Sequence, residues 1–399
     1  MRSRLTLLVA VLVFTAGCST GAPEPPLGTG VPVTGNARVP AVQVEVLASG
    51  LEHIWDIGWL PDGSALITER PARIRLLSAT RPDAKLTQVA VDLDDVYVRG
   101  EGGLMGLAVH PDFAQTRRFT TCQTHQADGT PVDVRLITWE LSPDATQARR
   151  VVDPLLAGLT LNPSGRHSGC RLTLGPDGSL YVGTGDSARS AASQDRTSLG
   201  GKVLRIDLRT GEGAPGNPYT DAPNADTRIF SYGHRNVQGV VVQPGTDQIF
   251  TAEHGPDVDD EINILRAGGN YGWDPSRGGT RSSYDESVPM TDLQRFPDAV
   301  PAVWSSGGRT EAICGVAFIE GTQWGDMQGL LAVATLKGSA LLLLRVDPAG
   351  GVVGVGQLPQ LDGSFGRLRT VRQGPDGALY VTTSNGDDDQ VLRITPVDA

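Results

Sequence analysis

A two-part phrase recurs six times along this chain of 399 residues. Each copy begins with a turn rich in Pro, Gly and Asp and an apolar run, which a second apolar run follows. The clearest copies start at Leu60, Gly175 and Gly374, and weaker ones start at His110, Gln243 and Gly321. Self-similarity at a period of roughly 50–65 residues is typical of repeat folds. Short apolar runs between such turns indicate strands. Six units of four antiparallel strands each predict an all-β chain that closes as a six-bladed β-propeller.

The second apolar run carries an arginine near its centre in most copies. The six runs read ARIRLLS, VRLITWEL, GKVLRIDL, EINILRAG, LLLLRVDP and QVLRITP. Length alone would suggest two or three domains. Because the repeats fill residues 42–399, we expect a single propeller domain there. The 50 glycines and 27 prolines supply the many turns of such a fold.

The N-terminus reads as an export signal. Two arginines precede the apolar run Leu5–Ala16, which is too short for a comfortable transmembrane helix. The run ends in small residues followed at once by Cys18, which resembles a bacterial lipobox. We therefore expect residues 1–17 to be a lipoprotein signal peptide and residues 18–41 to be a flexible Pro/Gly-rich tether. Ordinary signal cleavage, with Cys18 incidental, is the alternative. The expected location is the outer side of the cytoplasmic membrane, with the lipid as the only membrane contact.

The net charge limits the possible partners, and the cysteine content limits the possible disulfides. The net charge is −11 and no basic block is present, which argues against nucleic-acid binding. Three cysteines follow the lipobox: Cys122, Cys170 and Cys314. Export permits a disulfide. Cys122 and Cys170 lie about one blade apart, so a bridge between them is one arrangement and three buried free thiols are the other.

Polar residues concentrate in four loops at blade edges. The first, GRHSGCRL, contains His167 between small residues. Such a histidine can present its imidazole to a cleft and act as a general base near neutral pH. Asp186, in the segment GTGDS, could orient that imidazole. A surface histidine and a turn aspartate are the simpler alternative, since GxGD is also favourable turn chemistry.

The second loop, FSYGHRNVQG, supplies Arg235, Asn236 and Gln238. Arginine and asparagine on one short loop offer fixed donors to an anionic or carbonyl-bearing ligand. The alternative is a salt bridge between blades with a capping asparagine.

The third loop, AEHGPDVDDEINI, places Glu253, Asp257, Asp259, Asp260 and Glu261 around a Gly-Pro turn. Carboxylates and turn carbonyls at this density suit a hard cation with oxygen ligands, above all Ca²⁺. The loop lacks the EF-hand spacing, so a solvated acidic loop is the alternative.

The fourth set contains Lys337 in ATLKG and Arg367 and Arg369 in FGRLRT. Residues two apart on a strand point to the same face. Cations that converge at a propeller axis would hold a ligand with several carboxylates. An outward-facing charged strand is the alternative.

Together these segments resemble a known family. The motifs are EGGLMGLAVHPDF, RHSGCRL, GGKVLRID, SYGHRNVQG, EHGPDVDDEINI with GGNYGW, and GRLRTVRQGPDGALYV. Their order on a six-fold β repeat is similar to the soluble pyrroloquinoline quinone (PQQ)-dependent sugar dehydrogenases, also called the glucose/sorbosone dehydrogenase family. The bacterial aldose sugar dehydrogenases are the nearer likeness. The resemblance covers the chain from about Val42 to Pro396.

The resemblance implies roles for individual residues. His167 matches the family's proton acceptor, and Asp186 matches a carboxylate that supports this base in some members. Residues at quinone-binding positions are Arg235, Asn236, Lys337, Arg367 and Arg369.

The resemblance also implies two calcium sites. The main-chain carbonyls of Gly255 and Pro256 match those that hold Ca²⁺ against the cofactor. Glu261 and Tyr271 match ligands of a second, structural Ca²⁺.

Three departures from the family pattern stand out. Glu101 occupies a cofactor-contact position where the family often has Gln, which would bring a negative charge beside an anionic quinone unless the carboxylate is protonated or paired. Cys170 replaces a usual glycine in the histidine loop. The aromatic residue expected near the quinone plane has one candidate, Tyr284.

The resemblance implies oxidation of the anomeric carbon of an aldose to a lactone, with His167 as the base, Arg235 and Ca²⁺ as electrostatic stabilisers, and an external electron acceptor. Two other functions remain open. One is a cofactor-free propeller that binds a glycan or a protein partner, which Glu101 favours. The other is a Ca²⁺-dependent lactone hydrolase, which the three late cations disfavour because a neutral lactone needs no such clamp.

Overall fold

The computed structural model describes residues 41–281 and 283–397, which form six four-stranded antiparallel sheets. The first three sheets, blades 1–3, each use four consecutive strands. Blade 1 contains β2 (Ile54–Trp59), β3 (Ala65–Glu69), β4 (Arg73–Leu77) and β5 (Leu86–Val89). Blade 2 contains β6 (Leu104–Val109), β7 (Arg118–Ala127), β8 (Thr130–Leu141) and β9 (Ala148–Leu159). Blade 3 contains β10 (Arg171–Leu174), β11 (Leu180–Gly183), β12 (Lys202–Ile206) and β13 (Ile229–Tyr232).

The remaining blades complete the six-bladed propeller that the repeats predict. Blade 4 contains β14 (Val237–Val242), β15 (Ile249–Glu253), β16 (Glu261–Ile264) and β17 (Trp304–Ser305). Blade 5 contains β18 (Ile313–Phe318), β19 (Leu331–Thr335), β20 (Leu341–Val346) and β21 (Val352–Gln357). Blade 6 contains β22 (Leu368–Gln373), β23 (Leu379–Thr383), β24 (Asp389–Pro396) and the N-terminal β1 (Val42–Leu51).

The chain closes on itself in blade 6. Strand β1 pairs antiparallel with β24, so that Val42 lies opposite Pro396 and Leu51 lies opposite Asp389. The first and last strands are therefore in one sheet, which removes the open edge that an unclosed array of blades would leave. The predicted signal peptide, Cys18 and residues 18–40 of the tether lie outside the described residues.

The repeated phrase corresponds to the same part of every blade. Its turn joins the first strand of each blade to the second, and its arginine-bearing run is the third strand. In blade 3 the turn residue Asp177 accepts a 3.0 Å hydrogen bond from Arg205 Nε on β12. In blade 6 Asp376 accepts the equivalent 3.0 Å bond from Arg393 on β24. In these two blades the arginine of the phrase thus binds the aspartate of its own blade's turn.

Helices are few. The described residues contain one short α-helix, α1 (Phe113–Thr116), and two 3₁₀ helices, Thr322–Met327 and Pro359–Leu361. Among them is no helix with the length and apolar character needed to span a membrane. Buried aliphatic side chains fill the spaces between blades, as between blades 5 and 6, where Leu343 and Val381 belong to one cluster.

The blade order brings the predicted loops together. The first strands of neighbouring blades contact each other around the axis. His167 lies just before β10, Arg235 and Asn236 lie just before β14, and Arg367 lies just before β22. Because these strands all start at the same end of the propeller, this end carries the candidate site.

Candidate active site

A buried histidine–carboxylate pair lies at the start of blade 3. His167 Nδ1 is 2.8 Å from Asp186 Oδ1, and the two side chains are 4% and 0% exposed. The His167 backbone is left-handed, with φ of 52°. Asp186 is therefore a buried partner of the imidazole, and the surface turn considered above as an alternative is not what the structure contains.

Asp186 is itself held by three further donors. Its Oδ2 accepts hydrogen bonds from Tyr284 Oη at 2.6 Å and from Trp273 Nε1 at 2.9 Å. Its Oδ1 also accepts the main-chain N–H of Ala188 at 2.8 Å. Both oxygens are occupied, so the carboxylate fixes the ring orientation of His167 and favours a proton on Nδ1.

Tyr284 covers the pair from blade 4. Its hydroxyl lies 3.3 Å from His167 Nδ1, and its ring centroid lies 5.9 Å from that of the imidazole. Burial first, and then the charge of Asp186, raises the pKa of Tyr284. The phenol therefore stays protonated and acts as a donor to Asp186.

Arg235 lies beside this pair and is held in a fixed orientation. Its Nη1 donates to the carbonyl of His254 at 3.0 Å, and its Nη2 pairs with Glu286 Oε1 at 2.6 Å. Its guanidinium carbon lies 5.7 Å from the ring centroid of Trp273. Glu286 also pairs with Arg166. Burial opposes ionisation of Glu286, but the hydrogen bonds from both arginines lower its pKa overall.

A chain of hydrogen bonds connects Glu101 to the arginines of blade 6. Asn236 Nδ2 donates to Glu101 Oε2 at 3.3 Å, and Asn236 Oδ1 accepts from Gln238 Nε2 at 3.3 Å. Gln238 Oε1 in turn accepts from Arg369 Nη1 at 3.0 Å. Glu101 is thus hydrogen-bonded to an amide, which is one of the two ways in which its charge could be accommodated.

The predicted cations differ in their surroundings. Arg369 is buried, 5.6 Å from the ring centroid of Trp55, whereas Arg367 is exposed at the rim. Lys337 is exposed and lines a cavity of about 790 Å³ with Asp257, Glu311 and others. No described contact joins Lys337 to the other predicted residues, so its convergence with them stays a prediction.

The loop with Gly255 and Pro256 is held by Asp260. The main-chain N–H of Gly255 donates to Asp260 Oδ1 at 2.9 Å, and Asp260 Oδ2 accepts the N–H groups of Glu311 at 2.6 Å and Ala312 at 2.7 Å. A Cβ atom at Gly255 would lie 1.9 Å from the carbonyl oxygen of Val258, so only glycine fits there. The carboxylates of this loop do not converge: within residues 41–281 and 283–397, no three His, Cys, Asp or Glu side chains form a metal-binding group.

A second polar set is buried in the sheet of blade 4. Glu261 is 5% exposed, and among the described residues its hydrogen-bond donors are neutral: Thr291 Oγ1 at 3.1 Å and Asn263 Nδ2 at 3.3 Å. Burial, and next the neighbouring Glu253, raises the pKa of Glu261 to about 8. Asn263 Oδ1 is buried and has no hydrogen-bond partner among the described residues.

Tyr271 was predicted as a ligand beside Glu261. Its hydroxyl donates to the carbonyl of Ile264 at 2.5 Å and accepts the N–H of Arg266 at 2.9 Å. Its ring stacks on His234 at 4.4 Å between centroids. Since the phenol is committed to the protein, only the main-chain carbonyl of Tyr271 could serve a cation.

The histidine loop is tied to blade 2 by a disulfide. Cys122 on β7 is bonded to Cys170, with Cα atoms 6.3 Å apart, which is the first of the two arrangements that the sequence left open. The remaining cysteine of the described residues, Cys314, is free and buried, with its Sγ 3.4 Å from His254 Nε2.

Sequence reasoning missed three residues of this site: Arg166, Trp273 and Glu286. Trp273 ends the motif GGNYGW, so a role could have been suspected there. Glu286 lies in a segment without any periodic pattern, whereas Arg166 stands next to His167 in the motif RHSGCRL, which could have indicated it.

Comparison with known proteins places the whole propeller in one family. The Glucose / Sorbosone dehydrogenase family model matches residues 51–393. The chain belongs to this family, and it is an oxidoreductase of that class. Aldose sugar dehydrogenase YliI of Escherichia coli is 30% identical over 359 residues, which cover 89% of this chain and 93% of that protein.

Two solved structures have the same fold over nearly their full length. A putative oxidoreductase (glucose dehydrogenase) of Thermus thermophilus is 37% identical with a TM-score of 0.74, over 89% of this chain and 100% of that one. The PQQ-bound form of aldose sugar dehydrogenase from Streptomyces coelicolor is 30% identical with a TM-score of 0.69, over 89% of this chain and 99% of that one.

Proposed function

We propose that this chain is an exported quinoprotein that oxidises the anomeric carbon of aldoses to lactones with PQQ and Ca²⁺, and passes the electrons to an external acceptor. The observation that carries the proposal is the buried His167–Asp186 pair beside the guanidinium of Arg235. General-base and electrostatic groups are thus present at one end of the propeller.

The cationic side of the cleft fits a tricarboxylate such as PQQ. The Nε atoms of Arg235 and Arg369 are buried and have no hydrogen-bond partner among the described residues. Unsatisfied buried donors are costly, so an anion that accepts from them would stabilise the site. We assign the cofactor to Glu101, Arg235, Asn236, Tyr284, Lys337, Arg367 and Arg369, on the basis of this chemistry and the family relationship.

We assign two Ca²⁺ sites on the basis of their oxygen donors. The carbonyls of Gly255 and Pro256 lie on a turn that Asp260 holds in place, and we assign them to the Ca²⁺ next to the cofactor. We assign Glu261 and the Tyr271 carbonyl to a second, structural Ca²⁺. Within the described part of the chain this buried carboxylate has no positive partner and lies next to the unsatisfied Asn263 Oδ1, which supports a cation there.

Bound in the cleft, PQQ supplies an acceptor for the hydride on the anomeric carbon, and Ca²⁺ supplies a Lewis acid beside it. His167 has Nδ1 committed to Asp186, so Nε2 is left to take the proton of the anomeric hydroxyl. Loss of that proton forms the carbonyl of the lactone as the C–H bond breaks. Asp186 stabilises the imidazolium that results, and Arg235 stabilises negative charge that develops on oxygen.

The experiment compares His167→Ala with the parent in PQQ binding and in dye reduction with glucose. We expect turnover to fall by about 10²–10⁴ while the quinone stays bound, since general-base catalysis contributes that much. The control is His125→Ala, because His125 also pairs with a carboxylate, Asp95 at 3.1 Å, but outside this site.

Parent-like turnover in His167→Ala would refute this role for the histidine. Uptake of no quinone by the parent would favour the cofactor-free propeller, and lactone hydrolysis with Ca²⁺ alone would favour the hydrolase.

Membrane anchoring through Cys18 is a separate part of the proposal. Its support is the short apolar run that ends in Ala-Gly-Cys. We expect Cys18→Ala to move the protein from the membrane fraction to the soluble fraction after export. Retention of the variant in the membrane fraction would contradict lipidation at this residue.

A further inference from the structure

Arg70 lies at the cleft end of blade 1, directly after β3. Its carbonyl accepts the N–H of Leu104 at 3.0 Å. A Cβ atom at Gly103 would lie 2.1 Å from that same carbonyl oxygen, so the two segments are in close contact. The main chain of Arg70 is therefore packed against the loop that carries Glu101.

The guanidinium of Arg70 is half-buried and lacks a counter-ion. Its Nε is buried without a hydrogen-bond partner, and among the described residues no carboxylate lies within ion-pair distance of it. Its electrostatic neighbours are Arg369, Glu52, Glu101 and Arg367. Burial, and next the charge of Arg369, lowers the pKa of Arg70.

Positive charge is in excess around Arg70. Glu52 is already paired with Arg73 at 2.8 Å, which leaves Glu101 as the one neighbouring carboxylate without an arginine partner. Glu101 accepts only a 3.3 Å hydrogen bond from the neutral amide of Asn236 among the described groups. Arg70 thus has two guanidinium groups as electrostatic neighbours, whereas Arg367 among them also has Asp389 nearby.

We propose that Arg70 is a further anion-binding residue of the cleft, which binds a carboxylate of the quinone and offsets the charge of Glu101. The proposal rests on the proposed function. It explains how a site with a carboxylate at position 101 can accept a tricarboxylate. With the charge of Glu101 offset, the converging cations raise the local concentration of such a ligand.

The test is equilibrium binding of PQQ in the presence of Ca²⁺, followed by absorbance, for Arg70→Gln, Glu101→Gln and the double variant. We expect Arg70→Gln to weaken binding about tenfold or more, as the loss of one charge-assisted hydrogen bond predicts. We expect Glu101→Gln to strengthen binding more in the Arg70→Gln background than in the parent, because only there is its charge unopposed. Such coupling is what a double-mutant cycle measures.

Two controls separate this role from a structural one. Arg81→Gln removes a charge from the same blade at a residue that is 74% exposed and paired with Asp83, so PQQ affinity should not change. The trimethyl ester of PQQ lacks the carboxylate charges, so its binding should be nearly insensitive to Arg70→Gln. Arg70→Lys keeps the charge and should have a PQQ affinity between those of the parent and Arg70→Gln. It replaces Arg70→Gln in the test if that variant fails to fold.

Equal PQQ affinity in the parent and in the Arg70 variants would overturn this inference alone. Additive effects of Arg70→Gln and Glu101→Gln would overturn the part that concerns Glu101. A parent protein that binds no PQQ would contradict the proposed function, and this inference with it.

Discussion

The catalytic role proposed for His167 depends on how the carboxylate of Asp186 is held. Asp186 is fully buried, and both its oxygens accept hydrogen bonds, from His167, Ala188, Trp273 and Tyr284. An ionised carboxylate with several donors is well stabilised in a buried site. Its effect on the reaction therefore passes through the orientation and charge of His167.

Replacement of Asp186 by Asn tests this role. The amide keeps the shape but removes the charge and permits the wrong tautomer of His167. We expect kcat to fall by about 10²–10⁴ with little change in PQQ affinity. Steady-state dye reduction and a PQQ titration measure the two quantities, and a fall in PQQ affinity that accounted for the whole loss would contradict the assignment.

Residue roles could be predicted from the sequence only in part. His167, Arg235 and Asn236 stand in motifs next to first strands, so their meeting at one end of the propeller follows from the repeat. Glu286 pairs with Arg235 and Arg166 in this cleft, but its position depends on how an aperiodic segment folds over it. No local pattern carries that information.

At the scale of elements, the turn of blade 2 departs from the Pro-Asp-Gly form found in blades 1, 3 and 6. His110 occupies this turn, 6% exposed, with Nε2 2.8 Å from Thr120 Oγ1. Burial lowers the pKa of His110 to about 4. The folded state therefore binds this proton less readily than the unfolded chain does.

The pH dependence of stability follows from that difference. Between pH 6.5, the ordinary value, and about 4 the unfolded state binds more protons at His110, so stability is lost as the pH falls through this window. The variant His110→Asn should lack this pH-dependent contribution. The free energy of unfolding of the parent, relative to that of the variant, should therefore fall by up to about 3 kcal/mol from pH 7 to pH 4. Urea unfolding of both proteins across the window measures it, and parallel pH profiles would contradict the buried neutral state.

The disulfide between β7 and the histidine loop should have a measurable effect on stability. It closes a sequence separation of 48 residues. Removing a bridge of this kind typically costs about 2–4 kcal/mol. We expect Cys122→Ala with Cys170→Ala to lower the free energy of unfolding by that amount. Reduction of the parent with dithiothreitol should have a similar effect, whereas an unchanged unfolding midpoint in both cases would contradict the bond.

At the scale of the whole molecule, closure through β1 and β24 unites six blades into one scaffold. The repeat predicts this form because each blade repeats the same local order of turn and strands. Strand β1 begins beside Pro396, at the end of the propeller opposite Arg367 and Leu51.

The central claim is that the cleft binds a quinone and uses it on an aldose. The most direct measurement is an anaerobic titration of the parent protein with PQQ in the presence of Ca²⁺, followed by addition of glucose or another aldose. We expect one quinone to bind per chain, and its absorbance spectrum to change to that of the reduced form when the aldose is added. A protein that takes up no quinone, or whose bound quinone stays oxidised with every aldose tested, would contradict the account.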